Sequence, residues 1–165
     1  MSAVPLLQKL ILLKLMNLIQ HPLTADQITT YMVENGWSDY LLSQQLKLEL
    51  TESGFADVSD SEPYFYTLKA EGLAAVEMFS SQIPSFLSDQ IEVFVENNRE
   101  RILRENSVFV NVISDDGAYL VHVKIYTGLT LVVDLKIHRW NREDALEAAR
   151  EMRNKAYDTF SFLIK

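Results

Sequence analysis

Residues 24–54 read TADQITTYMVENGWSDYLLSQQLKLELTESG, two helix-forming patterns divided by a turn, and the rest of the chain is organised around them. Thr24 followed three residues later by Gln27 has the form of a capping box, and Ile28, Tyr31 and Met32 recur at helical spacing until Asn35-Gly36 supplies a left-handed stop. Ser38 is the candidate N-cap of the next helix, which carries Leu42, Leu46 and Leu50 to a second stop at Ser53-Gly54. The period then changes. Phe55–Val58 and Tyr64–Leu68 read as two short strands joined by the polar, turn-forming Ser59-Asp60-Ser61-Glu62-Pro63. Helical spacing returns from Ala70 with Leu73, Val76 and Phe79, and ends near Ile83-Pro84. With the apolar run Leu6–Ile19 as a first helix, this is the element order of a winged helix-turn-helix domain over residues 1–84.

The run Leu6–Ile19 is too short to span a bilayer and is interrupted by Lys9 and Lys14, so no membrane role is expected. A signal peptide would place its charges ahead of the apolar stretch, whereas here they lie within it. The helix either fills the core or forms a dimer seam. Cysteine is absent, which excludes disulfides, thiolate metal sites and thiol catalysis and fits a cytoplasmic location.

Ser85–Arg104 reads as one connector helix with a solvated face, within a linker spanning residues 85–105, and Phe86, Leu87, Ile91, Phe94, Ile102 and Leu103 are its apolar anchors. Residues 106–165 form a β-β-β-α layer. A two-residue turn at Asp116-Gly117 pairs Val112 with Val121, Val110 with Val123 and Val108 with Ile125, all on one face. A three-residue loop at Tyr126-Thr127-Gly128 would set Ile125, Val123 and Val121 opposite Leu129, Leu131 and Val133. The last helix, capped by Asn141, lays Ala145, Ala149, Met152, Ala156 and Phe160 across that face. The other sheet face mixes Phe109, Ile113, Leu120 and Val132 with polar residues; it is covered by the connector helix or is a dimer or partner surface. The fold class is α+β.

Three segments carry a resemblance: His21-Pro22-Leu23-Thr24 with Gln27-Ile28, the run from Asp39-Tyr40 through Gln44-Gln45 to Glu52-Ser53-Gly54, and Tyr66-Thr67-Leu68-Lys69-Ala70-Glu71-Gly72 through Phe79 to Ile83-Pro84. Together they resemble the bacterial family catalogued as domain of unknown function 4364. The resemblance spans nearly the whole chain and is most specific from Gly72 to Pro84. It implies an N-terminal winged helix, a smaller α+β region behind it, a cytoplasmic protein and a role in transcription regulation, with no agreed catalytic residues.

If Tyr40–Glu52 is a recognition helix, its exposed side decides the function. Projected at about 100° per residue, Leu42, Leu46 and Leu50 share one arc, and the opposite arc carries Tyr40, Ser43, Gln44, Lys47 and Thr51. All five can hydrogen-bond a base edge or a phosphate, and none is acidic. These are the candidate contacts to double-stranded DNA, made by a homodimer whose C-terminal layer serves dimerisation or effector sensing.

Charge opposes that reading. The chain carries a net charge of −8. Residues 1–84 hold four lysines against ten acids, and the wing carries Asp57, Asp60 and Glu62 and no base of its own. A wing that neutralises no phosphate forfeits counterion release. The alternative is a winged helix that binds a basic protein partner and no DNA. Arg99, Arg101 and Arg104, interleaved with Glu96, Glu100 and Glu105, read as helix-surface ion pairs rather than a cationic groove.

No catalytic motif accompanies the fold. His21, His122 and His138 are dispersed, Asn111 and His122 read as cross-strand neighbours, and Asp115-Asp116-Gly117 reads as a turn rather than a metal loop. The expectation is a non-enzyme without cofactor or metal.

Overall fold

The apolar run near the N-terminus folds as α1 (Leu6–Ile19), a helix hydrophobic on nearly every side and therefore enclosed: Leu10, Ile11, Leu12, Leu13, Leu15, Met16 and Ile19 are all buried. Its surface is consumed by the chain's own core rather than by a seam between copies. At its end Gln20 takes a left-handed conformation, and the Arg99 guanidinium donates to the carbonyls of Leu18 at 2.6 Å and Ile19 at 2.9 Å. A cation there satisfies orphan carbonyls and opposes the helix dipole.

The structure is a computed structural model that describes residues 4–164. Among these residues the architecture is α+β, with six α-helices and two three-stranded antiparallel sheets, and the chain divides into two compact units, Met1–Arg99 and Glu100–Lys165.

In the first unit the capping box forms as expected: the Gln27 amide N–H donates to Thr24 Oγ1 and the Thr24 N–H donates to Gln27 Oε1, both at 3.1 Å, opening α2 (Ala25–Glu34). The next helix, α3 (Tyr40–Glu52), is capped one residue later than expected. Asp39 Oδ1 accepts from the Leu42 N–H at 2.7 Å, while the Ser38 hydroxyl turns to the Asp39 carbonyl. The expected hairpin is part of a larger sheet. Leu23–Thr24, lying between two helices, is too short to show period-two alternation, yet it forms β1 and pairs with β3 (Phe65–Leu68), which also pairs with β2 (Ala56–Val58). After α4 (Ala70–Phe79) a single 3-10 turn leads to α5 (Ser85–Glu105).

The first two thirds of α5 belong to this unit, so residues 85–105 are not a separate connector. Ile91 and Val95 are fully buried, and the Phe94 ring lies 5.1 Å from that of Tyr31 and 5.8 Å from that of Trp37. Ile91, Phe94 and Val95 are thereby engaged on the helical core of this unit. Phe86, expected as an anchor, is 62% exposed, and its place in the burial pattern passes to Val95.

The second unit contains β4 (Val108–Asp115), β5 (Ala118–Thr127), β6 (Thr130–Arg139) and α6 (Arg142–Thr159). The first hairpin register is as expected: Val112 faces Val121, Val110 faces Val123 and Val108 faces Ile125. Asp116 and Gly117 both have positive φ, the geometry of a tight two-residue hairpin turn. The second hairpin differs by four residues. Thr127 pairs with Thr130 around Gly128-Leu129, a bulge intervenes at Ile125/Tyr126, and Ile125, Val123 and Val121 then face Val133, Leu135 and Ile137. The bulge supplies the one-residue correction expected of the loop, so the apolar parity is kept while both strands run longer.

Asn141 caps α6 by accepting from the Asp144 N–H at 2.8 Å, and Ala145, Ala149 and Ala156 pack against Val110, Val121, Val123 and Ile125 with Met152 and Phe160 beside them. Small alanines let the helix approach the sheet closely. The helix lies mainly over β4 and β5, and Arg153 donates to the Val110 carbonyl of β4 at 3.1 Å.

Candidate interaction face of the third helix

The five-residue passage from α2 to α3 fixes how α3 presents itself. Gly36 takes φ +70°, the backbone N–H groups of Trp37 and Ser38 both donate to the Met32 carbonyl, and the buried Trp37 indole donates to Gln90 Oε1 at 3.3 Å. With the turn pinned, α3 is rotated by about 50° from the orientation its leucines alone imply. Leu46 and Leu50 point inward as expected, but Ser43 and Lys47 join them among the buried residues, whereas Leu41 is 72% and Leu48 58% exposed.

Of the five expected contact residues, the structure therefore turns two away from solvent. Ser43 is fully buried and donates to the Tyr40 carbonyl at 2.6 Å. Lys47 lies against α2, its ammonium donating to Thr29 Oγ1 at 2.9 Å and to the Ala25 carbonyl at 3.3 Å. Burial pushes the Lys47 ammonium below its usual range, with Asp26 opposing part of that shift. Gln44 is half-buried and also donates to Thr29 Oγ1, at 3.1 Å. Thr51 donates to the Leu48 carbonyl at 2.9 Å, and only Tyr40 stands well out into solvent.

Thr29 is the residue that sequence reasoning missed. Its hydroxyl accepts from Lys47 and Gln44 and donates to the Ala25 carbonyl at 3.2 Å, so one short polar side chain on α2 collects the polar edge of α3. The available signal was a threonine just over one turn after the cap, at the border of the stripe formed by Ile28 and Met32.

The stripe that α3 presents instead is Leu41, Gln45, Leu48 and Glu52, spaced as one helix face, with Tyr40 beside it. Beyond it the β2–β3 segment exposes Asp57, Val58, Asp60, Glu62 and Tyr64. Each of the five Lys and Arg side chains of the unit has an internal partner. Lys9 pairs with Glu49, Lys14 with Glu92 at 3.3 Å and Lys69 with Asp57 at 3.8 Å, while Lys47 and Arg99 hold the backbone contacts given above.

A family model described as domain of unknown function (DUF4364) matches residues 8–165. The chain belongs to this family. No curated protein and no solved structure matches the DUF4364 chain.

The second unit of the DUF4364 chain gathers the remaining candidate side chains. His122 lies between Asn111 on β4 and Lys136 on β6, and its Nε2–H donates to Asp134 Oδ1 at 2.5 Å; His138 faces Leu120. The sequence register had set His122 opposite Val132; the four-residue shift sets Lys136 opposite it, with Asp134 on the diagonal beside Lys124. The Arg101–Glu105 and Arg104–Glu100 pairs form as expected, each at 3.4 Å, and Arg104 also lies over the Tyr157 ring. Among the described residues, no group of three His, Asp or Glu is placed to hold a metal ion, and no helix is long and apolar enough to cross a membrane.

Proposed function

We propose that Met1–Arg99 is a winged helix serving regulation by docking a protein partner rather than by tracking DNA. One observation carries this reading: every Lys and Arg of the unit is engaged inside it, while α3 offers solvent two leucines. Helix α3 occupies the recognition position of a helix-turn-helix pair with α2, and β2–β3 stands where the wing would be. A DNA-binding face draws much of its affinity from cations that displace condensed counterions, and here those cations would first have to leave internal partners. An apolar centre suits a protein surface instead. The acidic β2–β3 segment and the local excess of acids favour a partner with a basic rim around an apolar contact.

The test pairs two measurements on the full chain. The Leu41→Asp/Leu48→Asp variant is expected to lose a partner that the wild type retains, and an unbiased DNA selection at low salt is expected to enrich no sequence. Sequence-selective enrichment that Leu41→Asp/Leu48→Asp leaves intact overturns the reading.

DNA binding is the second reading, supported by the element order and by the uncharged Tyr40, Gln44, Gln45 and Thr51 along α3. It requires that Tyr40→Ala and Gln45→Ala weaken binding to a selected site with only a shallow dependence on salt.

A further inference from the structure

The two edges of the second sheet are unequal. Helix α6 lies over β4, whose Val110 carbonyl is taken by Arg153, whereas β6 ends the sheet on the other side with none of its residues fully buried. The central inward-facing residues of β6 are apolar, Val133, Leu135 and Ile137, and each is only half-buried. Between Val133 and Ile137 this open edge carries no inward-pointing charge, Arg139 standing on the inner face only at the strand's last residue, and that central stretch is a template for another strand.

The sequence of β6 states which strand fits. On its outer face Asp134 and Lys136 flank Leu135. Antiparallel pairing with a second β6 about a twofold axis at Leu135 sets Asp134 opposite Lys136 of the second copy, and Lys136 opposite Asp134, forming two cross-strand ion pairs. The same register places Val133 opposite Ile137 and Leu135 opposite its own equivalent, so the apolar face continues across the centre of the strand, from Val133 to Ile137. Moving the axis to Asp134 or to Lys136 brings like charges face to face, and a one-residue slip sends the apolar side chains to the wrong side.

We propose that the second unit dimerises through β6, giving a continuous six-stranded antiparallel sheet centred on Leu135. The occupant of the open edge is thus a second copy of this chain, chosen by charge complementarity within a single strand. The proposal is independent of what α3 binds.

Sedimentation equilibrium of the full chain is expected to give a dimer of about 38 kDa, twice the 19.0 kDa chain mass. Asp134→Lys and Lys136→Asp each replace two attractive pairs by repulsive ones, and each is expected to weaken dimerisation about tenfold or more. The double exchange Asp134→Lys/Lys136→Asp restores it. Lys136→Asp leaves the His122–Asp134 bond in place, which separates loss of the interface from loss of that bond. Because the chain has no cysteine, Leu135→Cys introduces a single thiol that meets its equivalent at the axis and oxidises to a covalent dimer, whereas Val133→Cys does not. Should a charge variant fail to fold, the comparison of the two cysteine variants decides alone. A monomer at all concentrations, a dimer indifferent to both charge reversals, or equal cross-linking at 133 and 135 overturns the proposal.

Discussion

Lys47 Nζ donates to Thr29 Oγ1 at 2.9 Å, so the one base on α3 is held by the helix before it. Lys47→Met keeps most of the stem packing but removes both ammonium bonds, and a cost of about 1–2 kcal/mol in urea unfolding is expected. The pH dependence gives a sharper readout. Burial lowers the folded ammonium below its usual value of 10.5, so between the lowered value and 10.5 the unfolded state binds more protons. Stability from this group therefore rises with pH across that window. The difference between wild type and Lys47→Met should grow in favour of wild type as the pH rises from the lowered value towards 10.5; a flat difference would falsify the inward placement.

The caps of α3 separate two neighbours. Asp39→Ala removes the acceptor for the Leu42 N–H and should destabilise by about 1 kcal/mol. Ser38→Ala, which removes only a bond to the adjacent carbonyl, should change the midpoint of thermal unfolding little. Equal losses from both would mean that the helix begins one residue earlier.

Two glycines make opposite demands. A Cβ at Gly72 would meet the Phe55 carbonyl oxygen at 2.4 Å and Leu68 Cδ1 at 2.7 Å, so Gly72→Ala forces α4 off the strands beneath it. A loss of about 2–3 kcal/mol is expected. At Gly36 the space is open, and only the φ of +70° resists a side chain, so Gly36→Ala should cost about 1 kcal/mol. Urea midpoints that rank Gly36→Ala as the more damaging change would contradict the close approach at Gly72.

Local signals were legible in the sequence wherever a short-range pattern dictated the answer. The Thr24/Gln27 box, the extent of α1, the Asp116-Gly117 turn with its register and the Asn141 cap all depend on residues a few positions apart. What the sequence did not disclose are outcomes of longer-range competition. Helical projection placed Ser43 and Lys47 outside because it weighed the leucines alone; packing on α2 then rotated the helix, and Ser43 is small enough to be enclosed there. Likewise β1 exists because Phe65 and Tyr66 pair with it, a contact no local pattern encodes. The second hairpin combined a correct parity with a wrong register, since a bulge and a loop glycine correct the alternation equally well until the strand lengths are known.

The last expectation concerns Asp134. The hydrogen bond from His122 holds its carboxyl below the usual 3.8, burial works against this, and the charges of His122, Lys136 and Lys124 add to the lowering. A carboxyl depressed in the folded state contributes stability that is fully present above its unfolded value and lost as the pH falls through the folded one. His122→Phe removes the principal cause, so the Asp134 carboxyl should titrate closer to 3.8 when followed by carbon-detected NMR. The acid limb of the stability profile should weaken in parallel, and measuring it as a difference between the two proteins cancels the remaining carboxylates. An Asp134 titration unchanged by His122→Phe would assign the depression to the neighbouring lysines, and Lys136→Gln would then be the variant that moves it.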